Sequence, residues 1–188
     1  MKRYLVFCLV FVLLFTPAGC SQTENETQPG TAAPEAGETD VPKEVAAAEV
    51  QAGTVSIEIT PPEGWTKNEE SVIPLHYLNG TASLMIKEEP YSGNTLDAVL
   101  TEALDMFGDS FTNFKTVGDI ESLTVDGKDA KKMTFTAAFA GIEMTFDYIF
   151  LFVGNDVYVI TFSDFADSFD TLADDFEAIL QSVRFKTR

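Results

Sequence analysis

The chain has 188 residues, with 30 acidic side chains against 12 basic ones and a formal net charge of -18. A surface of that sign repels nucleic-acid phosphates and anionic lipid headgroups, which argues against DNA, RNA or polybasic membrane binding. At 45% hydrophobic residues it is too apolar to be disordered throughout, and its length suits one domain plus accessory segments.

The first element lies at the N-terminus. Lys2 and Arg3 precede an unbroken apolar run from Tyr4 to Phe15, and Pro17-Ala18-Gly19 then lead into Cys20. The run is short for a transmembrane helix, which needs about 20 residues. A basic start, a short apolar core and small residues before a break have the form of a secretory signal over residues 1–19. Thr16-Pro17-Ala18-Gly19-Cys20 also resembles the lipobox of bacterial lipoproteins, with Ala18 and Gly19 in the two positions before the cut and Pro17 where an aliphatic residue is usual. The resemblance implies cleavage before Cys20 and lipid on its thiol. A single acyl chain attaches only marginally and reversibly, so the implied anchor carries more than one. The membrane is then the expected partner, reached through Cys20 on the extracytoplasmic side of a bacterial cell. Cys8 lies inside the apolar run, so the mature chain would keep only Cys20, with neither an intramolecular disulfide nor a cysteine cluster for zinc.

Residues 20–53 form the second expected segment, a lipid-anchored linker. From Ser21 to Gly53 the composition is Thr, Glu, Pro, Ala and Gly with few large apolar side chains, too little to offset the entropy of ordering. "PKEVAAAEVQ" is short enough that an isolated helix there is marginal. A flexible tether of this length reaches roughly 30 Å.

A globular domain is expected over residues 54–188. "TVSIEI" alternates, with Val55, Ile57 and Ile59 on one face, and "PPEGW" breaks it. "VIPLHYL" and "TASLMIKEE" flank Asn79-Gly80, a strong hairpin signal, with Pro74 pushing the first strand to the sheet edge. Leu96, Val99, Leu100, Ala103, Leu104 and Phe107 then fall at helical spacing, with Asn94 as N-cap. Strands follow at "KTVGDIESLTV", "AKKMTFTAAFA", "IEMTFDYIFLFV" and "VYVITF", divided by "DGK", Gly141 and "GND". The third of these is apolar on both faces from Tyr148 to Val153, as a covered central strand is. Phe169, Leu172, Phe176, Ile179, Leu180 and Val183 make one helical stripe, and "VRF" reads as a short last strand. Hairpin connections throughout predict α+β with an antiparallel sheet.

The opening strand into "PPEGW", the helix "TLDAVLTEALDMF", and "GNDVYVITFS" followed by "FDTLADDFEAILQSVRF" together resemble the PsbP-like family over Val55 to Phe185. That family consists of extracytoplasmic α/β/α sandwiches with a central antiparallel sheet. It includes extrinsic proteins of photosynthetic oxygen evolution and bacterial lipoproteins without an assigned activity. The resemblance implies a non-enzymatic binding or assembly role and carries no site residue across.

His76 is the only histidine, on the strand face opposite Leu75 and Tyr77, where a surface or partly buried strand residue is expected rather than a base or ligand. No Gly-x-Ser-x-Gly elbow, phosphate loop or two-histidine zinc motif occurs. Asp164, Asp167, Asp170, Asp174, Asp175 and Glu177 crowd the last helix. Asp167, Asp170, Asp174, Asp175 and Glu177 are the candidate face for a weakly held cation or a basic partner. A solvated helix end with acids favoured by the macrodipole is the simpler expectation. Their helical spacing offers single ligands rather than a calcium cage, so no metal or other cofactor is expected. Most of the 16 phenylalanines are expected in the core, with a pocket for a small hydrophobic ligand as the alternative. Trp65 is expected to cap the end of the sheet. The sequence thus points to a membrane-anchored, non-catalytic binding or assembly protein, with an envelope protein as its further expected partner. The alternatives are a carrier or sensor of a small hydrophobic ligand and, third, a hydrolase built on two converging carboxylates.

Overall fold

The computed structural model describes residues 48–52 and 55–187. The expected signal peptide, Cys20 and most of the linker lie outside the described residues. The strands are β1 (Ala48–Ala52), β2 (Val55–Ile59), β3 (Thr66–Lys67), β4 (Leu75–Asn79) and β5 (Ala82–Glu89), then β6 (Thr112–Val125), β7 (Lys128–Phe139), β8 (Ile142–Val153), β9 (Asp156–Phe165) and β10 (Arg184–Thr187). Helix α1 spans Leu96–Ser110 and α2 spans Ala173–Ser182, the latter entered through a 3-10 turn at Phe169–Leu172.

Seven strands form one antiparallel sheet in the order β3-β4-β5-β9-β8-β7-β6, and β1-β2-β10 form a second, also antiparallel. Strand alternation sends Met133, Phe135, Tyr148 and Phe150 to one face of the large sheet, where Val99, Leu100, Ala103 and Phe107 of α1 cover them. The other parity puts Leu84, Ile149, Leu151, Ile160 and Phe162 on the opposite face, under α2 and the small sheet through Ile57, Ile59, Phe176, Ile179, Val183 and Phe185. The fold is therefore α+β with a central antiparallel sheet and a helix on each side. One helical layer is shared with strands, because "VRF" returns to β2 and not to the main sheet.

The antiparallel order follows from four tight turns. Asp126-Gly127 and Ala140-Gly141 have positive φ at both central residues, whereas Gly80-Thr81 and Gly154-Asn155 have it only at the glycine. These are the turn classes whose twist matches flanking strands. The first hairpin forms where Asn79-Gly80 predicts it, but its loop is Gly80-Thr81, since Asn79 pairs with Ala82.

Four other local expectations change. The N-cap of α1 is Thr95 rather than Asn94, because the Thr95 hydroxyl reaches the Ala98 amide at 3.2 Å. Pro74 precedes β4 and so removes no ladder bond, and the two-residue β3 lies outside it as the edge. The strand expected from Lys115 begins at Thr112. Ala48–Ala52, inside the stretch expected as linker, pairs in register with β2 as β1, so the sheet structure starts before residue 54. The β8 expectation holds, with β9 on one side and β7 on the other.

Strand β6 is the other edge of the large sheet and is mostly exposed over its 14 residues. Its pairing with β7 breaks twice, between Thr112 and Lys115 and between Val117 and Glu121, the second break holding Gly118 at φ 69°. Such irregularities bend and twist an edge.

Candidate functional site

The α2 face of the large sheet is apolar at one end and polar at the other. Register places three rows side by side across β6, β7 and β8: Glu121 by Lys132 by Ile149, Val117 by Thr134 by Asp147, and Lys115 by Thr136 by Thr145. The small sheet and α2 cover the apolar end. Over the polar end they leave a cleft of about 680 Å³. Its floor is Lys132, Thr134, Thr136, Thr145 and Asp147, and its wall includes Phe169, Asp170, Phe176, Glu177 and Leu180.

Asp147 sits at the bottom of this cleft with 9% of its surface exposed. Thr134 donates its hydroxyl to Oδ1, while Oδ2 faces Lys132 Nζ at 3.9 Å, beyond hydrogen-bonding distance. Burial pushes the Asp147 carboxyl above its usual range, and Glu121 and Asp170 add to that. Thr134 and Lys132 oppose it without reversing it. Lys132 lies closer to Glu121, at 3.1 Å. The cleft thus holds four carboxylates, Glu121, Asp147, Asp170 and Glu177, against one ammonium. Chemically it suits a cationic group with an apolar stem, because charge, hydroxyl acceptors and aromatic wall lie together.

The acidic residues singled out from sequence separate into three places. Asp170 and Glu177 line the cleft. Asp175 is half-buried and accepts the Trp65 indole N–H at 2.8 Å, with Trp65 edge-on to Phe176 at 6.0 Å between centroids. Trp65 is accordingly buried beneath α2 as an anchor of that helix on the core. Asp174 is exposed, and Asp167 lies in the exposed turn beyond β9, near Ile142 and Glu143. Asp164 is fully buried and closes the same turn, accepting from Thr81 at 2.6 Å, Ser168 at 2.8 Å and the Phe165 amide at 2.8 Å. Among the described residues no group of three or more His, Cys, Asp or Glu side chains is placed to hold a metal ion.

Lys132, Thr134, Thr136, Thr145 and Asp147 were not recognised from sequence. Their signal is parity. In "KMTFTAAF" and "MTFDYIFLFV" the Lys, Thr and Asp residues fall on one face, but only the pairing register shows that they are neighbours.

His76 is half-buried on the α1 side, as its strand position implies. Asn68 Oδ1 accepts the Glu70 amide at 3.1 Å, so its NH2 faces His76 Nδ1 at 3.3 Å. Nδ1 therefore accepts, with Ser71 Oγ also at 2.9 Å, and the proton resides on Nε2, facing Ser83 Oγ at 3.0 Å. In that tautomer His76 holds the very proton it would need to remove from Ser83. It fastens the loop before β4 to β5.

No family model matches the chain, and no curated protein matches its sequence. Solved structures do match. LpqN from Mycobacterium tuberculosis, described as involved in cell envelope biogenesis, superposes with a TM-score of 0.57 at 16% identity, over 76% of this chain and 91% of that one. A Pseudomonas aeruginosa protein of unknown function, described as a putative regulator, reaches 0.50 at 13% identity, over 72% and 94% of the two chains. Cyanobacterial PsbP from Synechocystis aligns at 12% identity over 81% of this chain and 98% of its own, with a TM-score of 0.45, too low to argue from. At these identities the likeness concerns the fold alone, an antiparallel α+β architecture of the kind the sequence predicts.

Proposed function

We propose that this protein is a non-catalytic binding or assembly module, held on the extracytoplasmic side of a bacterial membrane by lipid on Cys20. The observation that carries the binding role is the cleft: α2 and the small sheet close one end of the sheet face and leave its polar end open. The envelope setting is supported by the lipobox-like Thr16–Cys20 segment and by a fold shared with an envelope-biogenesis protein. A non-catalytic role rests on the sequence, which carries no Gly-x-Ser-x-Gly elbow, phosphate loop or two-histidine zinc motif.

Two measurements test this reading. Cys20→Ala should move the protein from the membrane to the soluble or secreted fraction, and unchanged fractionation would refute the anchor. A photoreactive side chain at Thr136, in the cleft, should crosslink one discrete envelope partner in intact cells. Absence of a product there, with a product from an exposed position such as Asp156, would move binding elsewhere on the molecule. Native mass spectrometry that found a lipid-sized ligand would replace the module by the carrier reading.

A further inference from the structure

We infer that the cleft between β7, β8 and α2 receives an arginine-bearing segment of a partner protein, with a guanidinium seated on Asp147. This deepens the binding role proposed above and rests on it. Charge complementarity is the first argument. Four carboxylates line a cleft that holds one lysine, and the whole chain is strongly anionic, so a cationic segment is drawn in and an anionic one repelled.

The geometry of Asp147 is the second. Its side chain is 12% exposed at the cleft floor, one oxygen accepts from Thr134, and the other is loosely paired with Lys132 at 3.9 Å. Lys132 is already paired with Glu121, which lets it stay there while an incoming cation takes Oδ2. A guanidinium has five donors in a planar fork, and the hydroxyls of Thr136 and Thr145 beside Asp147 provide further acceptors. Phe169, Phe176 and Leu180 supply an apolar wall for the methylene stem. A bare divalent ion lacks such a fit, because among the described residues the acids do not form a ligand set. The volume exceeds one side chain and falls in the range of about 300–1,000 Å³ typical of ligand sites, which suits a short peptide segment.

The test uses the purified full chain, isotope-labelled for NMR, and a capped Gly-Arg-Gly-Arg-Gly peptide as probe. Amide shifts should change along β7, β8 and the stretch from Phe169 to Leu180. Asp147→Asn, which keeps an acceptor for Thr134, should weaken binding about tenfold, as loss of a charge-assisted bond does. Asp156→Asn, on the β8–β9 turn, should leave it unchanged. The inference fails if a citrulline version of the peptide binds as well, if Asp147→Asn has no effect, or if shifts spread over the acidic surface. Tighter binding of spermidine with the same shift pattern would make the occupant a free polyamine and also overturn it. A failed titration beside a successful Thr136 crosslink sinks the arginine assignment alone and leaves the binding module standing.

Discussion

Trp65 commits its single N–H to Asp175, and that bond joins the segment after β2 to α2 across 110 residues of chain. Trp65→Phe keeps the contact with Phe176 but removes the donor, leaving a half-exposed carboxylate that water can solvate. We predict a loss of about 1 kcal/mol, the net worth of one such hydrogen bond, read as a lower urea midpoint with unchanged slope. His76 makes a pH-dependent contribution. Burial lowers its pKa below the ordinary 6.5, so the unfolded chain binds a proton there before the folded one does. Its stabilising contribution is complete above pH 6.5 and is lost as pH falls through the lowered folded value. His76→Gln should abolish that part of the stability–pH curve in urea titrations between pH 5 and 7. Asp147 has the opposite sign: its raised pKa means that stability is present below the ordinary 3.8 and declines as pH rises through the folded value.

At the scale of elements, the turns and the start of α1 decide what is tolerated. Ala140 occupies φ 51° in the β7–β8 turn, a left-handed position that disfavours a Cβ, whereas Gly141 beside it suits its own φ of 84°. Ala140→Gly should stabilise by about 0.5–1 kcal/mol, with the relief of strain exceeding the added chain entropy. Gly93 presents the opposite case. A Cβ there would lie 2.6 Å from the Val99 amide nitrogen and 2.8 Å from the Ala98 carbonyl carbon, both backbone atoms of α1. The loop cannot retreat freely, because Glu102 Oε2 accepts from the Ser92 and Gly93 amides and the Ser92 hydroxyl. Gly93→Ala should therefore cost about 1–3 kcal/mol, the range for overpacking, measured by thermal or urea unfolding. These elements also show what a sequence discloses. Helix α1, the apolar half of β8 and the hairpin at Gly80 are written in local spacing, and each was legible. The Thr95 cap and the pairing of Ala48–Ala52 depend on which atom reaches which partner, and local composition pointed elsewhere. Asp170 and Glu177 stood out as acids on a helix, yet Asp147 and Lys132 meet them only after β6, β7 and β8 align, and no single segment contains that alignment.

Across the whole molecule, the aromatic side chains fill the α1 side instead of lining a chamber. Phe107 touches Phe111, Phe114, Phe135 and Tyr148, with centroids 4.9–6.2 Å apart, and Phe135 stacks on Phe146 at 4.9 Å. Contact of that density favours the core role expected of the phenylalanines. The open region lies on the other face and is charged. The long free border of the sheet has its own significance under crowding. Crowded copies meet edge-on often, and a straight, unpaired ribbon of 14 residues would let one copy template the next into a fibril. The two register breaks and the twist at Gly118 cut that ribbon into pieces too short and too skewed to propagate, so crowded copies stay apart.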